Sequence, residues 1–184
     1  MKGKLDLLSF DNSWFSPGKS LLVRIIWYTV NRVFINSYLF PVSGLKVFLL
    51  RFFGAEIATG CVVKPKVNIK YPWKLKIGFN SWLGEEVWID NLDEVTIGNN
   101  VCISQGTFLL CGNHDYKKSS FDLIISPITV KDGAWIGAKS IICPGAIIEE
   151  NVVISLGSLL KGKTEKDMIY SGNPAVPMKK RIIV

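Results

Sequence analysis

The chain has 184 residues, which is enough for one domain and a small additional segment. Apolar residues make up 48% of it, so a buried core is expected, and 16 glycines and 8 prolines indicate many tight turns. The formal net charge of +7 favours anionic ligands or surfaces without choosing among nucleotide cofactors, nucleic acids and acidic lipids. Because the sequence has no basic helix and no aromatic RNA-binding signature, no nucleic-acid partner is expected.

The cysteines show no paired spacing of the metal-binding kind, and no signal peptide precedes them. We therefore expect reduced thiols and a cytoplasmic protein, with isolated disulfides left open as the alternative. The four cysteines are Cys61, Cys102, Cys111 and Cys143.

The N-terminal part is predicted to form an arm and two short helices. Residues 1–17 are polar and aromatic and are typical of a loosely held arm. The helices are predicted over Ser20–Tyr38 and Val42–Phe53, with a break at Pro41 and a stop at Gly54.

Two interpretations of these helices remain open. They could cap the open end of a core, or residues 18–53 could lie on a membrane surface with Arg24, Arg32 and Arg51 towards the headgroups. The arginines interrupt the apolar run, so no stretch reaches the roughly 18 apolar residues of a spanning helix.

From Ile57 onwards an aliphatic residue recurs at every sixth position. Six is an even number, so these positions stay on one face of a strand, whereas a helical period of 3.6 would scatter them. Short strands joined by corners, three to a coil, would stack each aliphatic residue on its equivalent in the next coil. The fifteen positions are Ile57, Val63, Ile69, Ile77, Leu83, Ile89, Ile97, Ile103, Leu109, Val130, Ile136, Ile142, Ile148, Ile154 and Leu160.

The sequence therefore predicts a mainly β fold, a parallel β-helix of about five coils. The chain is predicted to divide into an arm with two helices over residues 1–56, the β-helix over 57–166 with a loop inserted at 110–129, and a C-terminal tail over 167–184. All three departures from the six-residue step follow the third side of a coil, so the insertions are expected on one edge. The longest insertion contains His114, the only histidine.

The chain resembles the hexapeptide-repeat acyltransferases over residues 57–181, and within them the colanic-acid and polysaccharide O-acetyltransferase subgroup. The resemblance implies a left-handed β-helix, a homotrimer, and acyl-CoA and acceptor meeting in a groove between neighbouring subunits. It also implies acetyl transfer to sugar hydroxyls during surface polysaccharide assembly. The segments that match the family are CISQGTFL (Cys102–Leu109), GNHDY (Gly112–Tyr116), the run Ser126–Lys163 and YSGNPA (Tyr170–Ala175). The segments that indicate the subgroup are LLRFFGAEI (Leu49–Ile57), at the end of the two-helix prefix, and WIDNLDEVTIG (Trp88–Gly98).

By this resemblance His114 is the general base that takes the hydroxyl proton in a direct transfer without an acyl-enzyme. An incidental loop histidine is the alternative. The second ring nitrogen needs a carboxylate or a backbone carbonyl as its partner. Asp115 is adjacent but expected to point elsewhere, and Glu86 and Asp90 are further candidates.

The resemblance also implies that small residues in the coils after the loop line the pantetheine arm of acetyl-CoA. Roles as corners of the β-helix or as surface lysines are the alternatives. Leu156 is bulkier than the alanine usual in the family, which puts the local contacts in question. The expected cofactor-binding residues are Trp135, Gly137, Ala138, Leu156, Gly157, Lys161 and Lys179.

The resemblance implies a sugar or lipid-linked saccharide as the acceptor. Sugar hydroxyls pair with carboxylates and amides beside an aromatic ring. Solvated corner residues are the alternative. The expected acceptor-binding residues are Glu86, Trp88, Asp90, Asn91, Asn113 and Asp115.

Three other functions are known or conceivable for a β-helix of this kind. A zinc carbonic anhydrase of the same fold needs three histidine ligands, so no metal is expected. A serine or amino-sugar acetyltransferase and a non-catalytic scaffold docked through residues 18–53 stay open. The expected location is the cytoplasm, with peripheral contact to the inner face of the membrane as an open point.

Overall fold

The computed structural model describes residues 4–184. A short 3-10 helix spans Leu7–Ser9, and helix α1 spans Leu21–Val30 and continues as a π-helical turn over Asn31–Ile35. Helix α2 spans Ser43–Phe52 and ends just before Gly54, which has a φ of +98°. Both helices thus lie within the ranges predicted from the sequence. A second 3-10 turn covers Pro72–Lys74.

The remaining chain forms a prism of three parallel sheets, called faces A, B and C, which each coil visits in that order. Face A contains β1 (Glu56–Ile57), β4 (Leu75–Ile77), β7 (Val95–Ile97), β12 (Ile128–Val130) and β15 (Ile147–Ile148). Face B contains β2 (Val62–Val63), β5 (Trp82–Leu83), β8 (Cys102–Ile103), β13 (Trp135–Ile136), β16 (Val153–Ile154), β18 (Met168–Gly172) and β19 (Ala175–Lys180). Face C contains β3 (Asn68–Ile69), β6 (Trp88–Asp90), β9 (Phe108–Leu110), β14 (Ile141–Ile142) and β17 (Leu159–Leu160). A hairpin of β10 (Gly112–His114) and β11 (Leu123–Ile125) stands apart from the three faces.

The aliphatic repeat forms the core as predicted. On face A, Ile57 is the register partner of Ile77, which pairs with Ile97, and the column continues through Val130 and Ile148. All fifteen repeat positions are buried. Stacking buries the aliphatic side chains away from water, which stabilises the fold by roughly 25 cal/mol per Å² of apolar area buried. The repeat itself therefore supplies the driving force for coiling.

The C-terminal segment extends face B beyond the fifth coil. Strand β18 pairs in parallel with β16, and β19 folds back antiparallel on β18. Tyr170 continues the column above Ile154 and is buried. A sixth, partial turn therefore closes this end of the core.

The helices close the other end of the prism, as the capping interpretation predicts. Trp27 is buried and its Nε1 donates to the carbonyl of Ile69 at 3.0 Å. Ile35 and Leu50 are fully buried beside the first coil. Lys46 is buried too, and its Nζ donates to the carbonyls of Ile35 and Lys64 at 3.1 and 3.0 Å.

The outward faces of the helices keep a large apolar surface. Across residues 4–184 no helix has the length and apolarity to cross a membrane. The exposed apolar side chains of α1 and α2 include Leu21, Leu22, Ile25, Ile26, Phe48 and Phe52.

The three outer faces of the prism differ in character. Face A is polar, and its Lys76 forms ion pairs with Glu56 at 3.9 Å and Glu94 at 3.0 Å. Faces B and C present aromatic side chains instead, which are half-exposed in the single chain. These are Trp82 and Trp135 on face B, and Trp88 on face C, stacked on Phe108 with ring centroids 4.6 Å apart.

All three insertions lie at the corner between faces C and A, the C–A corner, as the repeat predicts. The N-terminal arm runs along this corner and is held at both ends, contrary to the expectation of a loose arm. Trp73 Nε1 donates to the carbonyl of Pro17 at 2.6 Å, and the backbone N–H of Asp6 donates to the carbonyl of Ser119 at 2.8 Å.

Candidate active site

The hairpin that contains His114 is anchored directly to the coil below it. The N–H of Cys111 donates to the carbonyl of Asp90 at 3.2 Å, and the N–H of Ser126 donates back to the carbonyl of Cys111 at 2.9 Å. Gly112 lies so close to Leu92 that a Cβ would approach the leucine Cδ1 to 2.6 Å. A larger residue here would have to displace the end of the Leu92 side chain, so glycine allows the close approach of the two segments where the chain leaves the prism.

The imidazole of His114 is held by Phe121, which lies just before the opposite strand β11. Its Nδ1 lies 2.8 Å from the carbonyl oxygen of Phe121, and the two rings stack with centroids 4.2 Å apart and an interplanar angle of 5°. Because a carbonyl only accepts, Nδ1 carries a hydrogen, and in the neutral ring Nε2 therefore keeps its lone pair. Phe10 of the arm lies beside the same imidazole at 5.7 Å.

The backbone of Phe121, which makes this contact, is strained. Its φ is +51°, a left-handed conformation that is unfavourable for a bulky residue. Such strain is typical of sites where a backbone group must point in one direction.

The three carboxylates considered as partners of the histidine are engaged elsewhere. Asp115 Oδ1 accepts the N–H of Lys117 at 3.0 Å, and Asp90 forms an ion pair with Lys70 at 2.8 Å. Glu86 lies at the corner between faces B and C, where Tyr38 donates to it at 3.1 Å. Of the two kinds of partner expected for the second ring nitrogen of His114, a carboxylate or a backbone carbonyl, the structure shows the backbone carbonyl of Phe121.

A cysteine lies three residues before His114, but it is not an available nucleophile. Burial raises the pKa of the Cys111 thiol to about 12, so it stays protonated near neutral pH. Within residues 4–184, no three His, Cys, Asp or Glu side chains are grouped as metal ligands would be.

Two predicted acceptor residues, Trp88 and Asp90, line a cavity of about 330 Å³ between α1 and face C. We call it the helix-side cavity. Its other lining residues come from the helix, the π-helical turn and the first coil. They are Arg24, Trp27, Tyr28, Asn31, Arg32, Asn68, Ile69, Lys70, Tyr71 and Trp73.

Other predicted acceptor residues hold the backbone. Asn91 is 0% exposed, and its amide accepts the N–H of Tyr71 at 2.9 Å and donates to the carbonyl of Tyr71 at 2.6 Å. Asn91 therefore holds the turn and has no free amide group for a substrate. Asn113 Oδ1 accepts the N–H of His114 at 2.8 Å and so shapes the hairpin strand.

Four of the predicted cofactor residues line one groove of about 380 Å³ at the corner between faces B and C. We call it the corner groove. Trp135 forms one side and is fixed by its Nε1, which donates to Ser104 Oγ at 2.9 Å. Gly137 and Ala138 form the floor, and Leu156, 79% exposed, forms the rim.

Close packing of the coils explains the glycine in the floor. A Cβ on Gly137 would lie 2.5 Å from the backbone nitrogen of Leu156. Sequence reasoning missed Ser104, Gln105 and Ser155, which also line the groove. Their positions are the equivalents of Gly137 and Ala138 in neighbouring coils, so the six-residue register was the signal that could have found them.

The remaining predicted cofactor residues lie outside the groove lining. Gly157 is adjacent, with a φ of +67° and its N–H donating to the carbonyl of Ala138 at 2.8 Å. Lys161 is exposed after β17, at the C–A corner, and Lys179 is exposed on β19.

His114 and the corner groove lie at different corners of the same chain. The hairpin leaves face C towards face A, whereas the groove lies where face B turns into face C. Face C separates the base from the candidate cofactor groove within one chain.

Comparison with known proteins gives sequence relatives over most of the chain. It is 32% identical over 170 residues to the WcaF protein of Escherichia coli K12, whose name assigns it as a colanic acid biosynthesis acetyltransferase. That match covers 91% of this chain and 92% of the relative. The chain is also 29% identical over 162 residues to the galactoside O-acetyltransferase of E. coli K12, covering 86% and 77% of the two chains. No protein-family model matches it.

A solved structure with the same fold is a hexapeptide-repeat acetyltransferase of Vibrio cholerae O1 biovar eltor, determined with acetyl coenzyme A. The TM-score is 0.79 at 20% identity, and 88% of each chain is covered. At this identity the likeness concerns the fold alone, and it confirms the expected left-handed parallel β-helix.

Proposed function

The chain belongs to the hexapeptide-repeat acetyltransferases, and from this premise we propose that it transfers an acetyl group from acetyl-CoA to a sugar hydroxyl, with His114 as general base. The observation that carries the proposal is the hydrogen bond between His114 Nδ1 and the carbonyl of Phe121. It fixes the tautomer in which Nε2 can accept a proton, which is the state a general base needs.

In the proposed reaction, His114 Nε2 takes the proton of the sugar hydroxyl as the new carbon–oxygen bond forms. It then returns that proton to the thiolate sulfur as the carbon–sulfur bond breaks. Phe121 holds the ring in position throughout, and its carbonyl stabilises the transient imidazolium through the Nδ1 hydrogen. Base catalysis of this kind contributes roughly 10²–10⁴-fold, and positioning of the two reactants supplies much of the rest.

The corner groove suits the narrow pantetheine arm of acetyl-CoA, which supplies the acetyl thioester when bound. Gly137 and Ala138 have almost no side chain, so the floor is largely backbone, and the lining is mostly apolar. Leu156 at the rim would contact the arm. Lys161 and Lys179 are proposed to attract the nucleotide phosphates, since both are exposed and cationic.

We further propose a homotrimer in which neighbouring copies complete each site. Support comes from the positions of His114 and the corner groove at different corners. The aromatic outer surfaces of faces B and C also suit contact with other copies, while the ion-paired face A suits water.

The acceptor class is proposed to be a saccharide of surface polysaccharide assembly. The sequence relatives are named for colanic acid biosynthesis and for galactoside O-acetylation, and Trp88 and Asp90 line a cavity of suitable size. The requirement for acetyl-CoA, an intracellular metabolite, supports a cytoplasmic location.

Replacement of the histidine tests the proposal most directly. We expect His114→Ala to lower kcat for acetyl transfer by roughly 10²–10⁴-fold while light scattering still reports the wild-type oligomer. Lys117→Ala, an exposed change on the same hairpin, is the matched control. An intact His114→Ala oligomer with wild-type kcat would rule out the base. Hydroxyl and amine acceptors measured side by side separate O-acetylation from amino-sugar N-acetylation.

Peripheral membrane contact through residues 18–53 is a separate proposal, supported by the exposed apolar side chains of α1 and α2. Leu22→Gln with Ile26→Gln should reduce sedimentation with anionic lipid vesicles, because both side chains are exposed and apolar. Equal partitioning of this variant and the wild type would contradict the contact.

A further inference from the structure

The helix-side cavity carries more positive charge than a neutral sugar requires. Its lining includes Arg24, Arg32 and Lys70 but a single carboxylate, Asp90, which is paired with Lys70 at 2.8 Å. Among residues 4–184 neither arginine has a carboxylate within salt-bridge distance, so both present uncompensated positive charge to the cavity. Resting on the proposed sugar acetylation, we propose that the acceptor is an anionic saccharide whose acidic group is bound by Arg24 and Arg32.

Arg24 provides the first specific observation. Its Nε is buried and has no hydrogen-bond partner among residues 4–184. A buried cationic donor without a partner costs free energy, and an anionic ligand would remove that cost. The fork of a guanidinium also matches the two oxygens of a carboxylate or phosphate.

Asn31 provides a second, independent observation. It is only 5% exposed, and its Nδ2 donates to Asn68 Oδ1 at 2.7 Å. Its Oδ1 is buried without a partner among the described residues, and it lies in the lining of the same cavity. A buried amide oxygen of this kind can accept a hydrogen bond from a sugar hydroxyl.

The walls of the cavity fit the ring of a sugar. Tyr28, Tyr71, Trp73 and Trp88 supply aromatic surface, against which the C–H face of a pyranose can pack. Aromatic walls with a few converging polar groups are the usual character of a small-molecule site. The cavity therefore offers separate places for an apolar ring face, a hydroxyl and an acidic group.

The cavity also adjoins the corner that carries the proposed base. Asp90, on its rim, is the register partner of Leu110, and its carbonyl accepts the N–H of Cys111 at the root of the hairpin. An acceptor bound here by its acidic group would extend from α1 towards the C–A corner.

Binding in the absence of acetyl-CoA tests this inference without depending on catalysis. The probes are methyl glucoside, glucuronic acid, glucose 1-phosphate and inorganic phosphate, titrated into the full chain by calorimetry. We expect glucuronic acid and glucose 1-phosphate to bind at least about tenfold more tightly than methyl glucoside. The free energy of a charge-assisted hydrogen bond corresponds to at least such a factor in Kd. Whichever of glucuronic acid and glucose 1-phosphate binds more tightly identifies the acidic group of the acceptor as a carboxylate or a phosphate. Inorganic phosphate should bind more weakly than glucose 1-phosphate, because it lacks the ring.

Arg24→Gln and Arg32→Gln should each lower the affinity for the acidic sugars to within about threefold of the affinity for methyl glucoside. Lys180→Gln, an exposed change of equal charge on β19, should leave the preference unchanged. Equal affinity for neutral and acidic sugars, or an unchanged preference in both arginine variants, would overturn the inference. Equal binding of inorganic phosphate and glucose 1-phosphate would overturn it as well. None of these outcomes depends on whether His114 is the base, so the two proposals fail separately.

Discussion

His114 and Phe121 form a unit in which one backbone oxygen and one aromatic ring act on the same imidazole. The carbonyl lies 2.8 Å from Nδ1, and the stacked rings are 4.2 Å apart. The hydrogen bond sets the tautomer, while the stacking limits rotation of the ring. Phe121 makes both contacts from a backbone with a positive φ of +51°.

The first prediction separates these two contributions. Phe121→Ala keeps the backbone carbonyl but removes the ring, so we expect kcat for acetyl transfer to fall by up to about tenfold with little change in the KM for acetyl-CoA. Phe121→Tyr, which retains the stacking ring, should stay close to wild type. A normal kcat in Phe121→Ala would show that the ring is dispensable for orientation.

A second prediction concerns the N-terminal arm. Phe10 lies 5.7 Å from the His114 ring, so Phe10→Ala should loosen the imidazole and lower kcat a few-fold. Leu8, which is 99% exposed in the same arm, provides the control variant Leu8→Ala. If both variants have the same kcat, the arm has no influence on the histidine.

The third prediction addresses the corner groove. Leu156→Trp should narrow the groove and raise the KM for acetyl-CoA, whereas Leu156→Ala should leave it unchanged or lower it. Steady-state kinetics at varied acetyl-CoA concentration provides the measurement. An unchanged KM in the tryptophan variant would place the cofactor somewhere else.

The fourth prediction concerns active sites that combine His114 of one subunit with the corner groove of another. Chains with His114→Ala and chains with Leu156→Trp, each weakly active, are unfolded together and refolded at equal ratio. If each site takes its histidine from one copy and its groove from another, about one quarter of the sites regain both intact parts. Sites built within single chains would regain no activity above the sum of the two separate preparations.

The sequence predicted the prism closely because its information is periodic. Each of Ile57, Ile77 and Ile97 occupies the same environment one coil apart, so a simple count of residues gives both burial and register. The corner of the insertions followed from the same count. The groove residues Trp135, Gly137 and Ala138 were identified through the family resemblance, and the structure brings them together.

The contacts that the sequence could not give involve backbone groups and distant segments. The partner of His114 is a carbonyl, which every residue has, so the identity of Phe121 at that position gives no signal. Asn91 looked like a ligand because amides suit sugars, yet it satisfies the backbone of Tyr71. The contact of Phe10 with His114 joins residues more than a hundred positions apart, which no local pattern reveals.

The fifth prediction concerns stability. Lys46→Met should lower the free energy of unfolding by about 2 kcal/mol, because the carbonyls of Ile35 and Lys64 lose their donor. Burial lowers the pKa of the Lys46 ammonium below its ordinary value of 10.5. The unfolded chain therefore binds more protons as pH approaches 10.5, so rising pH favours the folded state.

Denaturation of wild type and Lys46→Met across alkaline pH measures this effect. The difference in unfolding free energy between the two should widen in favour of the wild type as pH rises towards 10.5. A constant difference would mean that the amine ionises equally in the folded and unfolded chains.

The placement of every insertion at the C–A corner has a consequence for how such enzymes diversify. Insertions of different length leave and re-enter the coils there, the longest of them between Leu110 and Ile128, while the aliphatic columns keep their register. We expect new acceptor specificities to arise by exchanging these segments, with the candidate cofactor groove at another corner left untouched. The β-helix core thus stays constant while the segments at the C–A corner can be exchanged. Grafting the hairpin of a relative onto this core would be a practical way to change the acceptor of the acetyl group.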